Sequence, residues 1–539
     1  MNILGISPNH DSSVCLLSNG EIKYFSKEER LSRVKRAADP NLVTQEALKL
    51  GPVDHVVWCP PTQNPSYRDE FIGDYFKDVE VTVNDLSDHH HLTHASLGFY
   101  NSGFTKAAVV VVDRNGSIMG NSCRESETIF MASYPATFDQ VYKSFWVYDN
   151  IAHQEALLYK KENIKCEIDV RSMYGVVKVY ETATALIKQH ALENGKVMGL
   201  SAYGNKHLEF DNLFFKGNIP NDYYFGHEET SNRMATHQDL QPFATDAVTL
   251  ENFQMYADYA WQVQKQTQEA VCYLIEKAIN KTGSKNVVIT GGYGMNVVAN
   301  HYYLTKFPEI NFFFEPLADD SGNSIGGAMF IHRLLTGDTS IKPLNTTFFN
   351  GKHHSLKNIH GAPIQIKDVA KILTSGKSVG VYRGLAEAGP RALGNRSILF
   401  DPRNKDAKEI VNKIKKREWY RPFAAMVLEE DAHMYFEMGK VKSSPYMTIS
   451  FPVKQYAVEN IPGVIHIDNT CRLQTVSKLD GYLYDLLLEF RKLTGHGVLL
   501  NTSFNLAGEP LVETPEDAIK TLNNSTLDYL WFFDKNIIM

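Results

Sequence analysis

Four groups of residues in this chain have types and spacings suited to chemistry. The first is basic: between residues 383 and 421, eleven Lys/Arg stand against five Asp/Glu in a chain whose net charge is −7. These arginines are interleaved with Gly389, Pro390, Leu393, Gly394, Ile398 and Leu399, residues of a folded turn and a strand. Guanidinium groups on ordered backbone bind phosphate or carboxylate through paired hydrogen bonds. Any single arginine here serves equally well as solvated surface, whereas the cluster as a whole reads as an anion site. Downstream, NTSFNLAGEP (501–510) adds hydroxyl and amide side chains beside glycines that let backbone approach a ligand. The second group is DHHHLTHASLGFY, in which His90 and His94 are spaced i, i+4. On a helix this puts both imidazoles on one face, half of a divalent-metal site. Asp113, ending AAVVVVD, and Asp320, in EPLADDSGNSIGGA, offer carboxylates to complete it, a mixed set that favours iron, manganese or zinc over calcium. The same histidines also fit a packed cluster, and spacing leaves both readings open. Third, His10 beside Asp11 is a candidate general base or a histidine that caps a turn. Fourth, GKVMGLSAYG (195–204), GGYGMN and DSGNSIGG offer backbone amides to an anion. None is a P-loop or a GxGxxG fingerprint, and each alone is also an ordinary tight turn.

The elements that must hold these groups follow from apolar periodicity. NILGIS and SVCLLSNGEIKYF read as strands flanking Asn9, His10 and Asp11, with Asn19-Gly20 as a hairpin turn. AAVVVVD and NVVIT are continuous β-branched runs, expected to be buried strands whose polar ends open into a cleft. Phe253, Tyr256, Ala260, Val263, Thr267, Val271, Leu274 and Ala278 recur at helical spacing until Lys281-Thr282-Gly283 stops the helix. Residues 335–355 are the best candidate linker, and a second α+β unit runs from about Ile364 onward. No short-period repeat is present.

At 539 residues, 43% hydrophobic and 22% charged, the chain has the composition of a soluble globular protein of two or more domains. Six cysteines scattered without CxxC argue for reduced thiols in a cytoplasmic setting and against structural zinc. No leader and no membrane-spanning run is read, so no membrane partner is expected. The acidic balance gives no global attraction to nucleic acid, though a local basic groove could still bind it.

The ordered segments NHDSSVCLL, EERLSRVKR, HHLTHASLGFY, GKVMGLSAYG, GGYGMNVVAN, DSGNSIGGA, AEAGPRALGNRSILFDPR, KKREWYRPFA, HIDNTCRLQTV and NTSFNLAGEPLVETPEDAI together resemble the O-carbamoyltransferases of the nodulation-protein NodU and tobramycin-carbamoyltransferase type. The resemblance implies an α/β domain of the actin and sugar-kinase type, duplicated, over 1–345, then a YrdC-like α+β domain over 346–539. It further implies that the second domain uses carbamoyl phosphate and ATP, with Mg2+, to form carbamoyl-adenylate, and that the first carbamoylates a hydroxyl beside a bound ion. That ion would be Fe2+, with Mn2+ or Zn2+ as substitutes. By resemblance His90, His94, Asp113 and Asp320 hold the metal, and His10 with Asp11 takes the proton. Lys35, Gly199, Gly291, Gly292 and Asn296 hold the nucleotide in the first domain. Arg391, Arg396, Ser397, Lys415, Arg417, Arg421, Arg472, Asn501, Ser503 and Asn505 bind carbamoyl phosphate and ATP in the second, with Lys415-x-Arg417 and Ser503-x-Asn505 matching the KxR and SxN signature.

Departures fall on substrate fit. Where the family shows DGxGE, this chain has Asp113-Arg114-Asn115-Gly116-Ser117; Ala388 stands where an aromatic is common, and Asn469 replaces a glycine in HxDGTxR. Partners are small-molecule substrates and a hydroxyl acceptor, either a sugar or antibiotic or a hydroxymethylated base such as 5-hydroxymethylcytosine in a nucleotide or DNA; a homodimer is compatible. The competing class is a nucleotide-binding regulator of the same fold. A hydrogenase maturation factor is disfavoured because its zinc-finger and acylphosphatase modules are missing.

Overall fold

A computed structural model describes residues 1–61, 64–119, 123–147, 150–171, 175–187, 192–205, 215–216, 219–220 and 248–539. The chain forms two compact units: Met1–Phe25 with Ala37–Asn345, and Ser26–Arg36 with Thr346–Met539.

The first unit is built on two sheets with one plan. In the five-stranded sheet the order is Glu21–Lys27, Ser13–Ser18, Asn2–Ser7, His55–Trp58, Thr82–Asp85. Asn2–Ser7 is antiparallel to Ser13–Ser18 and parallel to His55–Trp58, which is parallel to Thr82–Asp85. Asn19 and Gly20 take the positive φ values, 49° and 81°, that the two-residue hairpin needs. The second sheet repeats this order with Thr137–Trp146, Cys123–Ser133, Lys106–Val112, Asn286–Thr290 and Asn311–Phe314, again two antiparallel pairings followed by two parallel ones. Glu167–Arg171 extends its edge. Counting these five strands alone, each sheet runs third, second, first, fourth, fifth. The unit is thus a duplicated α/β architecture, and the duplication lies in strand order.

Strand Lys106–Val112 is buried from Ala107 onward. A strand covered on both faces needs apolar residues at every position. Ala107, Val109 and Val111 pack with Ala95 and Phe99 of helix His90–Ser102. The alternate residues face the other side of the sheet, and helix Phe253–Thr282 also packs on this strand. In that helix Tyr256, Ala260, Val263, Thr267, Val271, Leu274 and Ala278 are buried, and Gly283 at φ 65° ends it, as the spacing predicts.

The second unit is α+β, with a nine-stranded mixed sheet among the described residues. Helices Ile366–Thr374 and Tyr482–Thr494 pack on it around Val379, Leu399, Met426, Leu486, Phe490 and Trp531. The expectation of an unbroken first domain fails at Ser26–Arg36, because this segment is anchored in the second unit. Arg33 Nη1 donates to Leu511 O at 2.7 Å, its Nη2 donates to Pro510 O at 3.1 Å, and its Nε lies 3.3 Å from Asp517. Arg30 Nη2 donates to Glu387 O at 3.2 Å.

Candidate metal and anion sites

His90 opens helix His90–Ser102 and His94 follows one turn later, so both imidazoles leave the same face. Asp113 follows the valine strand, and Asp320 opens the turn Asp320–Gly322 that leads into helix Asn323–Thr336. All four are buried, and one donor atom from each lies within 4.8 Å of the others. His90 Nε2 stands 3.5 Å from Asp113 Oδ2 and 3.7 Å from Asp320 Oδ1, and His94 Nε2 stands 3.4 Å from the same Oδ1. Donors that share one ion at about 2.1 Å lie roughly 3 to 4 Å apart. His90 Nε2 has no hydrogen-bond partner although it is buried between two carboxylates, so the donor set fits a divalent ion. Burial pushes His90 down, yet Asp113 and Asp320 outweigh burial and raise it to about 10. Burial and Asp320 push Asp113 up, and the nearness of His90 with the charges of both histidines overrides them, holding it well below the carboxylate range.

Several neighbours fix this arrangement. Ser117 Oγ accepts the backbone N–H of His90 at 3.0 Å and donates to Ser87 O at 2.8 Å. Gly292 N–H donates to Asp113 Oδ1 at 3.1 Å. Gly291 sits at φ 81°, where a Cβ would lie 2.5 Å from Val112 O, so glycine alone lets the two strand ends meet. Asn323 Nδ2 lies 3.2 Å from His94 Nε2. His10 Nδ1 is 3.1 Å from Asp11 Oδ2, while its Nε2 points to Asp320 Oδ2 at 3.7 Å. Burial lowers His10, but the hydrogen bond to Asp11 and the Asp320 charge raise it overall. Ser117, Asn323 and the supporting role of Gly291 escaped the sequence reading, although each lies in or beside a quoted motif.

Asn296 spends its side chain capping helix Val297–Lys306, accepting from Ala299 N at 3.1 Å, and pairing with Gln264 at 3.0 Å. Gly199 is buried inside helix Gly195–Ser201. Lys35 belongs to the segment carried by the second unit, where its charge acts on Lys415. At the departure from DGxGE, Arg114 Nε and Nη2 grip the Glu181 carboxylate at 2.8 and 2.7 Å. Asn469 adopts φ 57°, the left-handed conformation asparagine tolerates in place of glycine.

In the second unit Lys415, the last residue of helix Ala407–Lys415, is buried and joins the two halves of the signature. Its Nζ donates to Ser503 O, to Ser503 Oγ at 3.1 Å, and to Asn505 O and Oδ1 at 3.0 and 2.9 Å. Burial, Arg417, Arg421 and Lys35 push it well below the ordinary lysine range. Burial, Arg421 and Arg472 likewise lower Arg417, and burial, Arg391 and Arg421 lower Arg472. Glu418 lies 3.5 Å from Arg421. Cations pressed against one another in this way are stabilised by a bound anion.

Arg396 and Asn501 do not join them. The Arg396 guanidinium is fully buried over the Tyr382 ring and donates to the carbonyls of Arg383, Asn395, Gly384 and Glu513 at 2.6 to 3.3 Å. Asn501 Nδ2 is held by Gln474 Oε1 at 2.8 Å and Ala392 O at 3.2 Å. Ser397 is buried, paired across the sheet with Ser503, and its Oγ has no partner. Two supporting residues were not singled out from sequence. Glu387 Oε1 gathers the N–H groups of Leu393, Asn395 and Arg396 at 2.7, 2.9 and 3.2 Å, shaping the GPRALGN loop. Asn412 accepts from Arg417 Nε at 2.6 Å and donates to the carbonyls of Trp419 and Arg421, each at 3.1 Å.

Two family models match the chain: Carbamoyltransferase N-terminus over residues 72–329 and Carbamoyltransferase C-terminus over residues 370–538. The nodulation protein NolNO of Sinorhizobium fredii is 30% identical, over 97% of this chain and 78% of its own length. An uncharacterized protein of Synechocystis is 29% identical over 98% of this chain and 95% of that one. Another, from Methanocaldococcus jannaschii, is 29% identical over 82% and 72%.

Proposed function

We propose a reaction from one premise: this chain belongs to the carbamoyltransferase family and is a transferase. The reading is an ATP-dependent O-carbamoyltransferase with two half-reactions. In the second unit, water releases phosphate from carbamoyl phosphate, a carbamate oxygen attacks the α-phosphorus of ATP, and pyrophosphate leaves. In the first unit an acceptor hydroxyl attacks the carbamoyl carbon of the resulting adenylate and AMP leaves.

The observation that carries this reading is the set of mutually repelling cations Arg391, Arg472, Arg421, Arg417, Lys415 and Lys35. A site that brings two phosphate-bearing reactants together must cancel their repulsion before bonds form, and fixed cations do so without reorganisation. In the first unit two imidazoles and two carboxylates suit Fe2+, with Mn2+ or Zn2+ as substitutes. Such an ion supplies Lewis acidity toward the carbamoyl carbonyl. His10 takes the hydroxyl proton at Nε2, the nitrogen facing Asp320, while Asp11 holds Nδ1 and so orients the ring. The acceptor is a small-molecule hydroxyl of a sugar or antibiotic, or a hydroxymethylated base.

The test is product analysis by mass spectrometry with an acceptor panel, omitting ATP or carbamoyl phosphate in turn. Carbamoylated product should require both and be accompanied by AMP and pyrophosphate. Full product from carbamoyl phosphate alone would refute the adenylate route. Arg417→Ala should abolish pyrophosphate release, since removing a fixed donor to a reacting phosphate costs about 3 kcal/mol or more.

A further inference from the structure

Trp419 is 51% exposed, whereas Trp58, Trp146 and Trp531 are buried. A single exposed apolar side chain is ordinary on a protein surface. This one differs in how its backbone is held and in what flanks it. Helix Ala407–Lys415 ends at Lys416, which turns the chain at φ 52°. The buried Asn412 then fixes three of the next five residues: it accepts from Arg417 Nε, and its amide binds the carbonyls on both Trp419 and Arg421. The Arg417 backbone N–H returns to Asn412 O at 3.2 Å, and the Arg421 N–H reaches Glu418 O at 3.2 Å. The Arg417 guanidinium also lies over the Phe423 ring, 4.4 Å from its centroid. The indole therefore stands on an ordered turn, with one clustered arginine two residues before it and another two residues after.

An exposed indole on a pinned backbone beside phosphate-binding cations has the composition of a nucleotide subsite. Cations take the phosphates, and a flat aromatic face takes the base by stacking, an interaction every purine and pyrimidine can make. We propose that Trp419 is the base-stacking platform of the second unit, receiving the purine of the nucleotide whose phosphates lie against Arg417, Arg421 and Lys415. This rests on the reading that the second unit binds ATP, and it adds the residue that distinguishes a nucleotide from a bare polyphosphate.

The experiment is isothermal titration of the full chain, and of Trp419→Ala and Trp419→Phe, with ATP and with inorganic tripolyphosphate. A parallel measurement gives KM for ATP and for carbamoyl phosphate. The wild-type chain should bind ATP more tightly than tripolyphosphate. Trp419→Ala should weaken ATP binding about tenfold and raise its KM to match, leaving tripolyphosphate affinity and the KM for carbamoyl phosphate unchanged. Trp419→Phe, which keeps a stacking face, should retain most of the ATP affinity. Equal ATP affinity in the wild-type and alanine chains overturns the platform, and so does an equal loss for both ligands, which would mark Trp419 as a support of the loop. A wild-type chain that binds tripolyphosphate with no preference for ATP overturns the platform and leaves the anion site standing. A chain that binds neither overturns the platform together with the placement of the nucleotide.

Discussion

At His94, Nε2 faces the Asp320 carboxylate at 3.4 Å while Nδ1 is buried without a partner. His94→Ala removes one donor of the four, so bound metal measured by elemental analysis should fall about tenfold or more, while the chain stays folded because the four groups meet at strand and helix ends. Unchanged metal content, or none in either protein, would make these ordinary packing histidines. His10→Asn should leave pyrophosphate release intact and stop acceptor carbamoylation; a variant that folds but no longer consumes ATP contradicts the division of the two half-reactions. Residue types pointed to the group His90, His94, Asp113 and Asp320, because HxxxH spacing and an acid closing an apolar run are local marks. They could not reveal that four backbone carbonyls hold the Arg396 guanidinium whereas one, that of Pro422, holds Arg417. Whether a guanidinium meets a ligand depends on whether nearby carbonyls already occupy its donors, as those of Arg383, Gly384 and Glu513 do for Arg396, and those carbonyls come from distant parts of the chain.

At the scale of elements, the apolar runs identified the strands Asn2–Ser7, Lys106–Val112 and Asn286–Thr290 and the thirty-residue helix Phe253–Thr282. Burial on both faces of a strand, or along one stripe of a helix, is written into consecutive residues. The approach of strand Lys106–Val112 to the turn after Asn286–Thr290 is not local, and it depends on Gly291. Gly291→Ala should strain the left-handed backbone and press a methyl group onto Val112 O, costing about 1–3 kcal/mol. It should also loosen the Gly292 N–H on Asp113, so metal content and stability should fall together. A variant as stable as the wild type, with full metal content, would show that this close approach is not required.

Across the whole molecule, the doubled sheet order is legible in the sequence only through the family resemblance, because pairing rules constrain strand order without leaving a repeated motif. One buried acid gives the fold a measurable pH dependence. Glu315, directly after strand Asn311–Phe314, is fully buried and raised to about 7, chiefly by burial, while it accepts from Leu317 N at 2.9 Å and Asn101 Nδ2 at 3.0 Å. A carboxyl raised in the folded chain keeps a proton that the unfolded chain releases, so its contribution to stability declines as pH rises from about 4.5 to about 7. Glu315→Gln removes that decline. Relative to wild type, the variant should gain roughly 3 kcal/mol between pH 4.5 and pH 8 in denaturant titrations, and parallel curves for the two proteins would contradict the assignment.

The segment Ser26–Arg36 has a consequence for biosynthesis. A ribosome delivers Arg30 357 residues ahead of Glu387, and Arg33 478 residues ahead of Leu511. The second unit therefore stays incomplete until Leu511 and the residues around it emerge, and its earliest-made piece must wait, tethered to the rest of the nascent chain, while the residues between are translated. A gene cut at residue 346 would yield a C-terminal fragment missing one of its own parts. Supplying a peptide of residues 26–36 in trans should raise that fragment's melting temperature, whereas the same peptide with Arg30 and Arg33 changed to alanine should not.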